Sequence, residues 1–170
     1  MSDKTLSYTE FRKAAIRNIN VCEILLKTYE TEKLVNQKQI LYKTFYLGGY
    51  VIEFLYKFSL FSHLSLDSNE NVYNYGDLDF QKKWKVHNFD QLNILCQNEG
   101  LTFSTDIPYF GTTSLDKKVI KLFDSWDVQI RYSLNLSKKG IKQIDLEYNE
   151  ITKYIETIKD INKKITSRFS

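Results

Sequence analysis

The strongest constraint on the fold of this chain is a long apolar run near its middle. Residues 40–62 read ILYKTFYLGGYVIEFLYKFSLFS, and their large hydrophobic side chains fall on nearly every side of a helix. A helix with that distribution has to be buried over most of its surface. We therefore predict that the segment from Ile40 to Ser62 forms a central helix around which the other elements pack.

Two charged residues, Glu53 and Lys57, interrupt this apolar run. Each charge would cost about 2.5–3.5 kcal/mol at the centre of a membrane, which disfavours a transmembrane helix. The acid precedes the lysine by four residues, the favourable order for an ion pair on one helix face. We expect the pair to mark the edge of the helix that reaches solvent or a polar groove.

Two adjacent glycines, Gly48 and Gly49, lie inside the same predicted helix. A glycine in a helix interior costs about 1 kcal/mol relative to alanine, so some contact has to compensate for each of them. The compensation is either the close approach of another helix or a ligand held against bare backbone. We favour the packing of a helix.

The composition of the chain indicates one all-α domain. With 170 residues it has the length of a single domain, and one proline and six glycines favour long helices over a turn-rich β-sandwich. We predict a single domain over residues 1–170, an up-and-down bundle of four to five helices. The predicted helices cover 5–34, 40–62, 88–98, 116–134 and 143–169, with irregular connections at 64–85 and 102–113.

Charge and cysteine usage exclude several classes of protein. The formal charge of +3 comes from interleaved acids and bases and does not by itself indicate nucleic-acid binding. Cys22 and Cys96 lie far apart beside apolar residues, and the chain starts without a hydrophobic signal segment, so we expect reduced core cysteines in a cytoplasmic protein. With only His63 and His87 as further ligands, we expect no metal site and no cofactor.

The last predicted helix carries a heptad seam, which allows two interpretations. Its members are Ile144, Tyr148, Ile151, Ile155, Ile158, Asn162, Ile165 and Phe169. Asn162 could set the register against a partner chain in a structural assembly. Alternatively, the seam drifts onto Ile161 within the chain, which is the interpretation we favour.

The irregular segment 64–85 is rich in aromatic residues and lysines. They are Tyr73, Tyr75, Phe80, Trp84, Lys82, Lys83 and Lys85. Aromatic rings beside cations can stack on nucleic-acid bases. We favour the other interpretation, in which the rings cover the apolar flank of the central helix.

The residues that could carry chemistry are few. The sequence contains no P-loop, nucleophile elbow or zinc-protease motif, which leaves Glu53, His87 and Arg131. Arg131 could hold a phosphate through a bidentate contact, although its spacing favours a surface pair with Asp127. Histidine exchanges protons near neutral pH, although at the start of a helix we favour a His87 that is satisfied by backbone groups.

Three segments combine distinctive residues in a fixed order: residues 46–57, YLGGYVIEFLYK; residues 84–92, WKVHNFDQL; and residues 126–132, WDVQIRY. Together they resemble the HEPN (higher eukaryotes and prokaryotes nucleotide-binding) domain family. The first is similar to the signature of that family's second helix, and the second to the His-Asp-Leu start of its next helix, with Asn88 in place of the usual acid. The third is similar to its late tryptophan and Arg-Tyr pair.

The resemblance implies a helical bundle, usually a homodimer, with a groove where the Arg-bearing helices of two protomers meet. It also implies a role in prokaryotic toxin–antitoxin systems or antiviral defence, where RNA, nucleotide or a nucleotidyltransferase-type protein is the partner. In the ribonuclease members a histidine follows the arginine closely, whereas no histidine follows Arg131 here. We therefore expect a non-catalytic module that dimerises and binds RNA, nucleotide or a protein partner.

The resemblance also suggests which residues form the site. Those expected to line the groove are Glu53, Lys57, Trp126 and Tyr132. An alternative function is a divergent metal-independent ribonuclease, in which Arg131 stabilises the pentavalent phosphate and His87 acts as the base. A second alternative is a purely structural helical assembly protein.

Overall fold

The computed structural model describes residues 6–103, 115–131 and 146–169, and within these ranges it contains helices and no β-strand. The predicted all-α helical bundle is confirmed, but these ranges hold six α-helices where four to five were predicted. The described α-helices are α1 Thr9–Tyr29, α2 Leu34–His63, α3 Leu78–Trp84, α4 Phe89–Asn98, α5 Lys117–Ser125 and α6 Tyr148–Arg168, with short 3-10 helices at Val72–Asn74 and Val128–Arg131.

Helix α2 is the central element, as its apolar run predicts. α1 packs against it as an antiparallel hairpin: the Phe11 ring lies 6.3 Å from the Phe61 ring, and Gln37 donates a hydrogen bond to the Tyr29 carbonyl at the other end. α6 and α4 also pack against α2. None of the described helices is both long enough and apolar enough to cross a membrane.

Both glycines of α2 are sites of close packing, but the favoured interpretation, the packing of a helix, is confirmed only for Gly48. A Cβ added at Gly48 would lie 2.6 Å from Cε1 of Tyr154 on α6, so only a bare backbone lets the two helices approach this closely. A Cβ added at Gly49 would collide with the indole ring of Trp126. One glycine therefore accommodates a helix and the other accommodates a single large side chain.

The segment 64–85 is more regular than its composition predicts. It contains α3, a helix that was not predicted because seven residues are too few to show a helical period. The Asp77 carboxylate caps this helix by accepting a hydrogen bond from the Phe80 N–H at 2.8 Å. The Trp84 and Phe80 rings lie 5.3 Å and 6.2 Å from the Phe61 ring, so these aromatic residues do cover the flank of α2.

The predicted helix over 116–134 is wrong in its second half. α5 ends at Ser125, Trp126 has an extended backbone, and Asp127 starts a 3-10 helix by accepting a hydrogen bond from the Gln129 N–H at 2.8 Å. The extended residue lets the indole N–H of Trp126 reach the Tyr46 carbonyl at 3.1 Å. A tertiary contact therefore overrides a helical periodicity that continues to Ile130. Residues 132–134 lie outside the described residues.

The apolar seam of α6 packs against other helices of the same chain. Ile161 is fully buried together with Ile158 and Ile165, whereas Asn162 is only half-buried. This confirms the favoured interpretation, in which the seam shifts onto Ile161. Its apolar residues pack against α1 and α2 of the same chain. The described part of the helix therefore offers no free apolar seam for a structural assembly, and Ile144 lies outside the described residues.

Both cysteines are reduced and buried, as predicted. Burial raises the pKa of each thiol to about 12. Only the thiolate reacts with disulfide or alkylating reagents, and at about pH 8 almost none is present at such a pKa. We expect Cys22 and Cys96 to resist Ellman's reagent in the native protein and both to react once the chain is unfolded in guanidinium chloride. Rapid labelling of either native thiol would contradict their burial.

Candidate functional site

The three segments singled out in the sequence converge on one flank of α2. His87, in the turn between α3 and α4, contacts Glu53 of α2 through Nδ1 and Oε2 at 2.9 Å. Trp126, which follows α5, stacks on Phe89 of α4 with ring centres 4.7 Å apart and planes 2° from parallel. The indole also donates to the Tyr46 carbonyl of α2. Residues 34 to 80 positions apart in the chain thus form one site.

Glu53 and Lys57 form a buried ion pair at the base of this site. Glu53 Oε1 lies 2.7 Å from Lys57 Nζ, and the two side chains are 1% and 5% exposed. The expectation that the pair marks an edge open to solvent is wrong, because Trp84 and the start of α4 cover that flank; Lys57 Nζ lies 5.7 Å from the centre of the Trp84 ring. Buried charges persist when they are paired and hydrogen-bonded, as they are here.

His87 is the member of this cluster that reaches the surface, with its side chain 48% exposed. The favoured interpretation of a histidine satisfied by backbone groups is wrong, because its Nδ1 bonds to the Glu53 carboxylate. A carboxylate paired with lysine only accepts hydrogen bonds, so Nδ1 is the nitrogen that carries the proton. Among the described residues, Nε2 has no hydrogen-bond partner. We call Glu53, Lys57 and His87 the Glu53 cluster.

The position of His87 is fixed by the start of α4. Asn88 has an extended backbone, and its Oδ1 accepts a hydrogen bond from the Gln91 N–H at 3.0 Å, which confirms the predicted N-cap. The ring of His87 also lies edge-on to the Tyr50 ring, 6.2 Å from it. The imidazole is therefore held by a helix cap, a buried carboxylate and an aromatic neighbour.

A row of half-buried aromatic residues on α2 borders His87, and this row was not among the predicted site residues. Tyr46, Tyr50 and Phe54 follow one another at intervals of four, with ring centres 4.9 Å and 5.8 Å apart. Lys43 Nζ lies 5.4 Å from the centre of the Tyr46 ring. Their i, i+4 spacing could have indicated a shared helix face. It did not stand out because the neighbouring residues of the run are apolar as well. We call these three residues the aromatic row.

The remaining predicted site residues are Trp126, Arg131 and Tyr132. Trp126 is only 7% exposed and lies against Tyr50, with ring centres 5.3 Å apart, so it supports the aromatic row from beneath. The backbone of Arg131 ends the 3-10 helix that packs against α2. The side chain of Arg131 and the whole of Tyr132 lie outside the described residues.

Comparison with protein-family models, curated proteins and solved structures gives no match to this chain. The chemistry of the site therefore has to follow from its own residues. The charges of Glu53 and Lys57 cancel, while Lys43 and a protonated His87 add positive charge beside the aromatic row. In the described part of the chain, no three potential ligands group as a metal site would require. The arrangement suits an anion with an aromatic or planar group attached.

Proposed function

We propose that this protein is a HEPN-like, non-catalytic module that dimerises and binds RNA or nucleotide on the α2 flank that carries the aromatic row and His87. One observation carries the proposal: a half-exposed histidine is fixed through Nδ1 by a buried carboxylate and lies beside the row. Such a histidine offers Nε2 to a phosphate oxygen. Dimerisation rests on the family resemblance alone.

The aromatic row supplies the second part of the proposed binding site, which contacts the bases. Nucleic-acid bases stack on exposed aromatic faces, and each stacked base contributes about 1–3 kcal/mol to binding. Tyr46 and Tyr50 are half-buried, so each residue keeps part of its surface accessible. Lys43 beside Tyr46 supplies a cation for the phosphate backbone. Together these groups suit a single-stranded RNA or a nucleotide better than a double helix.

A direct test compares RNA binding by two histidine variants. In His87→Asn the amide replaces the Nδ1 donor to Glu53 but removes Nε2, so the fold is retained while the ligand contact is lost. Because a hydrogen bond to a charged group contributes about 1.5–3 kcal/mol, we expect the affinity for labelled single-stranded RNA to fall about 10- to 150-fold. Fluorescence anisotropy measures this change, and light scattering on the same samples reports dimerisation.

The matched control for this test is His63→Asn. His63 is the other histidine of the chain; it is exposed and contacts the Glu99 carbonyl at 3.0 Å, away from the Glu53 cluster. Its replacement should leave RNA affinity unchanged. Equal affinity of His87→Asn and wild type, or no RNA or nucleotide binding by wild type, would reject the proposed site, and binding of a protein alone would favour a partner-protein module.

A second candidate function is a metal-independent ribonuclease, and the contact between Glu53 and His87 favours it specifically. A carboxylate that holds Nδ1–H leaves Nε2 as a proton acceptor, which is the arrangement of an oriented general base. Arg131 would stabilise the charged phosphate in this mechanism. Incubating mixed RNA with wild type, Arg131→Ala and His87→Asn tests it: absence of cleavage, or equal cleavage by all three, excludes the enzyme.

A further inference from the structure

We propose that Glu53 and Lys57 are positioning residues that make phosphate binding at His87 dependent on proton uptake. Nε2 binds a phosphate oxygen only when the ring carries its second proton. This inference rests on the proposed function, because it assigns the phosphate of RNA or nucleotide to the same histidine. It adds a condition, proton uptake, that the binding function by itself does not require.

The first step is the orientation of the imidazole ring. Glu53 Oε2 holds Nδ1 at 2.9 Å, and Glu53 Oε1 is occupied by Lys57 at 2.7 Å. Both carboxylate oxygens are therefore used, and the side chain, only 1% exposed, has no room to turn toward solvent. The ring cannot exchange its two nitrogens without losing this hydrogen bond, so Nε2 remains the atom that faces a ligand.

The second step is the chemistry of Nε2. In the neutral ring Nδ1 carries the proton and Nε2 presents a lone pair, which repels a phosphate oxygen. In the protonated ring both nitrogens donate: Nδ1 to Glu53 and Nε2 to the phosphate, in a charge-assisted hydrogen bond. Binding a phosphate therefore requires the protonated form of His87 and draws one proton from solution when the ring starts neutral.

Lys57 sets the charge balance of the cluster. Because it neutralises Glu53, the cluster has no net charge with a neutral His87 and one positive charge with a protonated ring. Without Lys57 the buried carboxylate would repel the incoming phosphate, since the charges would cancel only after protonation. The lysine thus lets a single proton change the site from neutral to anion-binding.

The other charged groups on the elements packed around His87 do not take over the role of Glu53 and Lys57. Lys85 donates to Gln81 Oε1 at 2.7 Å and lies over the Tyr73 and Trp84 rings. Asp90 is exposed in the first turn of α4, and the Asp127 carboxylate caps the 3-10 helix after α5. Tyr50 faces His87 with its ring edge-on, and its hydroxyl accepts from Tyr46 at 3.2 Å.

The test measures affinity as a function of pH with a probe of constant charge. An RNA oligonucleotide without a terminal phosphate keeps its charge between about pH 5.5 and 8.5, so any pH dependence near neutrality has to come from the protein. We expect the affinity of wild type to fall by up to about tenfold per pH unit once the ring is neutral. His87→Asn should bind weakly at every pH, and His63→Asn should follow wild type.

Calorimetry in buffers of different ionisation enthalpy gives an independent measurement. When the ring starts neutral, binding should take up about one proton per site in wild type and none in His87→Asn. A nucleoside monophosphate, run as a second probe, distinguishes free nucleotide from RNA as the source of the phosphate. A flat pH profile, zero proton uptake, or the same pH slope in His87→Asn would overturn proton coupling.

The roles of Glu53 and Lys57 are tested by the double variant Glu53→Gln/Lys57→Met, which leaves no unpaired buried charge. Loss of the carboxylate removes the negative charge that faces Nδ1, so the dependence of affinity on pH should change. The matched control is Asp79→Asn/Lys83→Met, another i, i+4 pair, whose side chains are exposed. An unchanged pH profile in the first double variant rejects the positioning role. If wild type itself binds no RNA at any pH, the proposed function is rejected as well.

Discussion

Replacing Glu53 with alanine should lower the free energy of unfolding by about 3–5 kcal/mol. The substitution leaves Lys57, whose side chain is 5% exposed, as a buried cation without its carboxylate partner. It also removes the acceptor for His87 Nδ1. Urea unfolding followed by circular dichroism measures the loss as a lower midpoint with an unchanged slope.

The control for this prediction is Asp79→Ala, which breaks an ion pair of the same spacing on the surface of α3. Lys83 is exposed and remains solvated after the substitution, so stability should hardly change. The double variant Glu53→Leu/Lys57→Met should cost less than Glu53→Ala alone, because apolar residues can replace a buried pair without leaving a charge behind. Equal effects of Glu53→Ala and Asp79→Ala would show that the α2 pair is not buried.

Replacing Gly49 with alanine should destabilise the protein by about 3 kcal/mol. The new Cβ would collide with the indole of Trp126, and the indole cannot move aside because it donates to the Tyr46 carbonyl and stacks on Phe89. The better helix propensity of alanine, about 1 kcal/mol, offsets only part of this cost. Thermal and urea unfolding of the variant measure the net effect.

A double-mutant cycle separates the collision from other effects of the substitution. Trp126→Ala should itself cost about 3–5 kcal/mol, since it removes a large buried side chain. In that background the space above Gly49 is open, so Gly49→Ala should become neutral or stabilising by about 1 kcal/mol. If Gly49→Ala costs as much without the indole as with it, Trp126 does not account for the glycine.

Much of the fold could be predicted because the patterns that indicate it are local. The apolar run identifies α2 as the central helix, the Asn88 cap starts α4, and the glycine pair indicates close packing. Each of these depends on side-chain volume or capping within a few residues. The same holds for the burial of Cys22 and Cys96 beside apolar neighbours.

The contacts that build the site could not be predicted in this way. An acid and a lysine four residues apart form an ion pair whether the helix face is exposed or covered, so their spacing could not reveal the burial of Glu53. The deciding contact comes from His87, 34 positions further along the chain. The break at Trp126 is of the same kind, because its hydrogen-bond acceptor, Tyr46, is 80 positions away.

The two tryptophans of this chain flank the Glu53 cluster, which makes its intrinsic fluorescence a local signal. Trp84 lies over Lys57, and Trp126 lies against Tyr50, which in turn contacts His87. Both indoles are buried, so their emission changes when the cluster or the aromatic row rearranges. With Trp84→Phe, the remaining emission would come from Trp126 alone, and a ligand at His87 could be followed in solution without any attached dye.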